Sequence, residues 1–203
     1  MRRTMLLGAI LAVLACRERG PRPFAGDGLA GPAVVPPLPK PELVLTATDG
    51  TRFDLQRETE GVVTLLFFGY TSCPDRCPLQ LANIAAALKR MDPTRAERIR
   101  TVFVTVDPRR DTPDRIRAYL DHFDRRFVGL TGDSASIAYA FTQLRLGHPM
   151  PPDAVTGEPG TYTINHNVAV FAFTTDNLAH VAYLSGFTPD QWLHDLTLLA
   201  DGT

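Results

Sequence analysis

Two cysteines offer the sharpest chemistry in this chain. Cys73 and Cys77 stand in Gly69-Tyr70-Thr71-Ser72-Cys73-Pro74-Asp75-Arg76-Cys77-Pro78. The C-x3-C spacing puts the second sulfur about one helical turn from the first, on the same side. A thiolate is the nucleophile of disulfide exchange and a soft ligand that suits Cu(I) or Zn. Amides at a helix N-terminus lower a thiol's pKa and make thiolate accessible near neutral pH. Redox exchange, metal binding and a structural disulfide are therefore all open. The structural disulfide is the weakest of the three, because so short a loop constrains little unfolded-chain entropy. Two sulfurs do not choose between the other two. A third ligand would, and the candidates are the five histidines.

The elements that must position these residues alternate between strand and helix. Leu43–Thr48 and Thr51–Leu55 flank Asp49-Gly50, a strong hairpin signal. Val62–Phe68 is a continuous apolar run typical of a strand buried on both faces, and Cys73 and Cys77 follow it directly. Leu79–Met91 carries apolar residues at helical spacing, and Thr101–Val106 reads as a second buried strand. Thr112-Pro113-Asp114 predicts an N-cap, a first-turn proline and a first-turn acid for a helix running to about Phe123. A short strand near Val128–Leu130 and a helix over Ser134–Leu144 come next. Val168–Thr174 and Ala179–Leu184 then form a hairpin, and Thr188-Pro189-Asp190-Gln191 opens a last helix with capping-box spacing. The order predicts an α/β fold: a central sheet flanked by helices, preceded by an N-terminal β-hairpin. Gly147–Thr161, rich in Pro and Gly, is a long connection of the kind that is often functional.

Among the histidines, His122 and His194 fall on helix positions beside acids and read as surface residues, His180 begins a strand, and His148 lies in the long connection. His166 differs, because Tyr162-Thr163-Ile164-Asn165-His166-Asn167 leads straight into the Val168 strand. In a thioredoxin-like sheet that junction faces the cysteine-bearing helix start, where thioredoxins place a cis-proline. No proline stands there in this chain. A histidine at the junction can reach two sulfurs and make a Cys2His set suited to copper.

The N-terminus reads as an address. Arg2 and Arg3 precede an apolar run from Met5 to Ala15 that is too short to cross a bilayer, and the run ends at Cys16. Val13-Leu14-Ala15-Cys16 resembles the bacterial lipobox, in which the cysteine becomes the lipidated N-terminus. An ordinary signal or an uncleaved anchor gives the same compartment, on the extracytoplasmic side. From residue 17 to 41, 11 of 25 residues are Pro or Gly, with no apolar periodicity. That composition predicts an extended or flexible tether. The domain organisation expected is thus a signal segment 1–16, a tether 17–41 and one folded domain 42–203.

Residues 41–203 hold 15 basic and 20 acidic groups. That balance argues against nucleic-acid binding, which needs a basic face to displace phosphate counterions. Three cysteines in 203 residues exclude a disulfide-stapled miniprotein.

The cysteine stretch combines with Val106-Asp107-Pro108-x-Arg110-Asp111-Thr112-Pro113, Gly129-Leu130-Thr131-Gly132, and Tyr162 four residues before His166. Together these resemble the Sco/SenC copper-chaperone family over about residues 41–200. The resemblance implies a thioredoxin-like fold with an N-terminal membrane anchor, on the bacterial periplasmic side and here a lipoprotein through Cys16. It implies one bound copper, as Cu(I) with Cu(II) as the other oxidation state, held by Cys73, Cys77 and His166. It also implies service to the binuclear copper centre in subunit II of cytochrome c oxidase. A thioredoxin-like reductant must keep both cysteines reduced. The family commonly has aspartate before the histidine; Asn165 stands here and offers a hydrogen bond without a negative charge. Asp107 matches a family acid near the metal. It either orients a ligand from behind or meets a partner, or else serves as a turn residue ahead of Pro108. The alternative function is a thiol–disulfide oxidoreductase acting on the cysteines of that subunit, and His166 discriminates, because exchange chemistry does not require it. A peroxidase of the peroxiredoxin type fares poorly, since Tyr70 stands where such enzymes have threonine.

Overall fold

The computed structural model describes residues 28–147, 164 and 169–202. In chain order the elements are β1 (Ala33–Pro39), β2 (Val44–Ala47), β3 (Arg52–Asp54), α1 (Leu55–Glu58), β4 (Val63–Gly69), α2 (Arg76–Arg90) and α3 (Pro93–Ala96). They continue with β5 (Ile99–Thr105), α4 (Pro113–Asp121), β6 (Val128–Thr131), α5 (Ser134–Gln143), β7 (Val170–Phe173), β8 (Leu178–Tyr183) and α6 (Pro189–Asp201). The strands form one sheet in the order β1-β8-β7-β4-β5-β6-β2-β3.

β4, β5 and β6 are parallel, with Phe67 opposite Phe103 and Val104 opposite Leu130. β7 runs antiparallel to β4 on its other side. Every residue of β4 is buried, as its unbroken apolar run predicts. Val63, Leu65 and Phe67 face one core with residues of α2, α4 and α6, while Leu66 and Phe68 face a second core with residues of α5. The expected α/β architecture, helices on both faces of a central sheet, is the one observed. The expected N-terminal hairpin is β2–β3, turning at Gly50 with φ +84°.

Helix starts follow their sequence signals. Thr112 caps α4 by accepting the Arg115 amide, Asp133 caps α5 through Ser136, and Thr188 and Gln191 form a reciprocal capping box on α6. No helix among the described residues is long and apolar enough to cross a membrane.

One expectation needs correction. The tether was expected to run to residue 41, yet residues 33–39 form β1 and pair with β8, with Leu38 buried. Three prolines cost this strand donors, but an edge strand needs partners on one side only. Just upstream, the amides of Ala30 and Gly31 donate to the two oxygens of the buried Asp195 carboxylate at 3.0 and 2.9 Å. Gly31 is required there: a Cβ would lie 2.5 Å from the Tyr183 ring and from Val181.

Candidate metal centre

The site grows out of the C-terminal end of β4. Gly69 closes the strand, and its carbonyl accepts the Val106 amide at 2.8 Å, joining the exits of β4 and β5. Tyr70 follows and is buried, and the Cys73 amide donates back to the Tyr70 carbonyl at 3.1 Å, making a tight turn. Asp75 then caps α2 through the Arg76 amide at 2.7 Å. The helix therefore starts three residues earlier than its apolar spacing indicates, and Cys77 lies in its first turn.

The two cysteines are thiols, not a disulfide. Cys77 is fully buried at the top of the α2–α6 core, whereas Cys73 is half-buried and packs against both cores at the rim of the sheet. Gly69 makes room for the inner sulfur: a Cβ there would lie 3.0 Å from Cys77 Sγ and 2.8 Å from the Phe103 ring. A hydrogen bond to Cys73, followed by burial, pushes the Cys77 thiol far above the ordinary range, and the Tyr70 backbone amide partly offsets this. The helix-start argument predicted the opposite for this residue. The one amide that acts in that direction is Tyr70's, and the neighbouring sulfur and burial outweigh it.

Asp107 is buried and ion-paired with Arg110, whose guanidinium lies 5.7 Å from the centre of the Tyr70 ring. It also opens the turn ahead of α4, its carbonyl accepting the Arg110 and Asp111 amides at 3.1 and 2.9 Å. It anchors the arginine that covers Tyr70, and so supports the cysteine turn from one side. Burial, then the nearby cysteines, raise the Tyr70 phenol above its ordinary value, and its Oη accepts the Ile164 amide at 3.4 Å.

Sequence reasoning passed over Asp111. It is buried beside the same turn and accepts the Thr71 amide at 2.9 Å and both the Thr71 and Thr105 hydroxyls, at 2.5 and 2.6 Å. The available signal was its place in the Arg110-Asp111-Thr112-Pro113 stretch, which reads first as a helix start. Tyr119 was also passed over. Its buried hydroxyl has no hydrogen-bond partner among the described residues, and its ring packs on Phe103, 6.0 Å between centres. Burial, then Cys77 and Cys73, raise its phenol far above the usual range.

His122, His180 and His194 are engaged elsewhere, with the Ala118 carbonyl, Asp176 and Asp195 respectively, at 2.7, 2.8 and 2.8 Å. His148, His166, Asn165, Tyr162 and Cys16 lie outside the described residues. Among the described residues no group of three or more His, Cys, Asp or Glu is arranged to hold a metal ion. The structure thus brings Cys73 and Cys77 together, while Asp107 reaches the site only through Arg110 over the Tyr70 ring.

A model of the SCO1/SenC family matches residues 38–201. The chain belongs to this family. It is 30% identical over 172 residues to the mitochondrial SCO2 homolog of Bos taurus, covering 84% of this chain and 62% of that protein. The matches span between 31% and 62% of the length of the curated relatives. Among solved structures, Bradyrhizobium japonicum ScoI with copper bound superposes with TM-score 0.66 at 32% identity, covering 80% of this chain and 97% of the other. BsSco, described as a member of the Sco family of cytochrome c oxidase assembly proteins with a disulfide switch, gives TM-score 0.60 at 19% identity, covering 84% and 97%. At that identity the likeness shows the fold alone. The thioredoxin-like architecture expected from the sequence is the one these Sco structures share.

Proposed function

We propose that this chain is a membrane-tethered, extracytoplasmic copper metallochaperone. It binds one copper through Cys73, Cys77 and His166 and delivers it to the binuclear copper centre in subunit II of cytochrome c oxidase. The observation that carries the reading is the pair of adjacent thiols at the mouth of β4, one buried and one at the rim, in a SCO1/SenC chain with a copper-bound relative. Two soft sulfurs and one imidazole suit Cu(I).

Chain connectivity supports His166 as the third donor. Ile164 is buried with its amide on Tyr70 Oη, and the Tyr70 backbone amide bonds the Cys77 sulfur. Ala169 is buried on the other side, ahead of β7. In sequence His166 follows Ile164 by two positions and precedes Ala169 by three, which supports it as the candidate third donor. Asn165, beside it in sequence, offers a hydrogen bond without adding charge.

Binding requires the thiols to surrender their protons, and release to a partner proceeds by ligand exchange, one donor at a time. An extracytoplasmic thioredoxin-like reductant keeps the pair reduced. Cys16, lipidated, supplies the anchor. A second reading, reduction of the partner's disulfide, draws on the hydrogen bond between the two sulfurs, of which Cys73 is the accessible one.

The test is a Cu(I) titration of the full chain, reduced and anaerobic, against a competing chelator. One tightly held copper is expected, lost in Cys73→Ser and Cys77→Ser and weakened roughly tenfold or more in His166→Ala. Unchanged affinity in His166→Ala, with disulfide reductase activity retained, favours the second reading. Full affinity in a double cysteine variant overturns both the site and the function.

A further inference from the structure

The stretch from Val106 to Pro113 contributes more than a helix start. Its second acid, Asp111, has a side chain with no solvent exposure. It faces donors from two separate elements. Oδ2 accepts the Thr71 amide at 2.9 Å and the Thr105 hydroxyl at 2.6 Å, and Oδ1 accepts the Thr71 hydroxyl at 2.5 Å. Arg115, on the first turn of α4, completes the cluster. Its Nε donates to Thr71 Oγ1 at 2.9 Å, its Nη2 donates to Ser72 Oγ at 2.8 Å, and the guanidinium lies 4.0 Å from the Asp111 carboxylate. Thr71 and Ser72 are the two residues directly before Cys73.

We propose that Asp111 is the positioning residue for Cys73: its buried carboxylate grips Thr71 by both backbone and side chain, ties it to the end of β5, and so sets where the rim sulfur stands. This deepens the copper reading, in which Cys73 is a ligand. An ionised carboxylate is the one side chain of this size that offers acceptors only, and three donors converge on it. Asparagine keeps the shape but turns an NH2 group toward one of those donors, which breaks the grip on that side. Bonds to a charged acceptor are the stronger kind, so the turn is held against the pull of a departing metal. Cys77 needs no such device, because the helix and the core already fix it.

The test compares the full chain carrying Asp111→Asn, Thr71→Val or Asp195→Asn. Asp195 is an equally buried carboxylate that accepts two backbone amides, on α6 and away from the cysteines. It serves as the control for lost stability alone. Two readouts are taken well below the unfolding transition: Cu(I) affinity against a chelator, and the rate at which iodoacetamide alkylates Cys73 in the copper-free, reduced protein, located by peptide mass. Asp111→Asn and Thr71→Val are each expected to weaken copper roughly tenfold and to change the alkylation rate severalfold. The two together should be little worse than either, because they break one shared contact. Asp195→Asn should lower the urea midpoint and leave both readouts within twofold of the parent.

An alkylation rate and affinity unchanged in Thr71→Val overturn the proposal, as does an Asp195→Asn effect as large as that of Asp111→Asn. If Asp111→Asn does not fold, Thr71→Val carries the test. If the parent holds no copper, the functional reading fails while the alkylation rates still decide the role of Asp111.

Discussion

At the scale of single residues, the site is shaped as much by what is missing as by what is present. Gly69 has no side chain, and Cys77 Sγ and the Phe103 ring occupy the space a methyl group would need. In an ordinary strand position alanine outperforms glycine by a fraction of a kcal/mol. Here Gly69→Ala is expected to destabilise by about 1–3 kcal/mol through overpacking, and to weaken Cu(I) by displacing the inner sulfur. Urea unfolding and a chelator competition check the two effects, and a neutral or stabilised variant contradicts the geometry. The cysteines themselves were legible in the sequence, because spacing after a buried strand is a strong signal. The protonation of Cys77 was not, since it depends on a neighbouring sulfur and on burial that no local pattern reveals. Asp111 was hidden for a similar reason: its donors come from residues 71 and 105, and only the parallel pairing of β4 and β5 brings those loops together.

Among the elements, those with strong local signals formed where expected, and those held by tertiary contacts did not announce themselves. β4 and β5 follow from apolar runs, and α4 and α6 from their caps. β1 reads as linker, because Pro36, Pro37 and Pro39 break every strand pattern and only β8 beside it supplies the missing order. Lys40, at the end of β1, is buried, and its ammonium donates to the hydroxyls of Thr59 and Thr64 at 2.9 and 3.1 Å, so it joins three elements at the end of the sheet remote from the cysteines. Burial lowers its pKa from 10.5 to about 8, with Asp176 opposing that shift. The folded state therefore gives up this proton at lower pH than the unfolded chain does. Below pH 8 both states hold it, and stability does not vary with pH on its account. Between about pH 8 and 10.5 the unfolded chain binds more protons and stability rises with pH, by an amount on the order of 3 kcal/mol in full. Lys40→Met should flatten that rise, measured by urea unfolding from pH 7.5 to 10. An equal slope in the two proteins would show that Lys40 does not carry it.

For the whole molecule, the boundary of the folded unit is the point where sequence and structure part. Composition places it at residue 42, whereas the contacts of the described residues reach back to residue 28. A chain beginning at residue 42 loses β1, the burial of Leu38, and both amides that satisfy Asp195. Against one beginning at residue 28 it should be less stable by about 3 kcal/mol or more, read from chemical denaturation. Equal stability would return the strand to the status of a linker. The strap formed by residues 28–39 also has a direction. From β1 the chain passes backward over Asp195 toward Leu198, beside which Gly28 lies. α6 itself ends next to Arg95 and Arg98, at the start of β5 and opposite the cysteine turn. The described chain thus begins at the end of the domain opposite the cysteines. Anything docked against that entry end leaves the cysteine turn uncovered on the far side, so the two surfaces can be occupied at once.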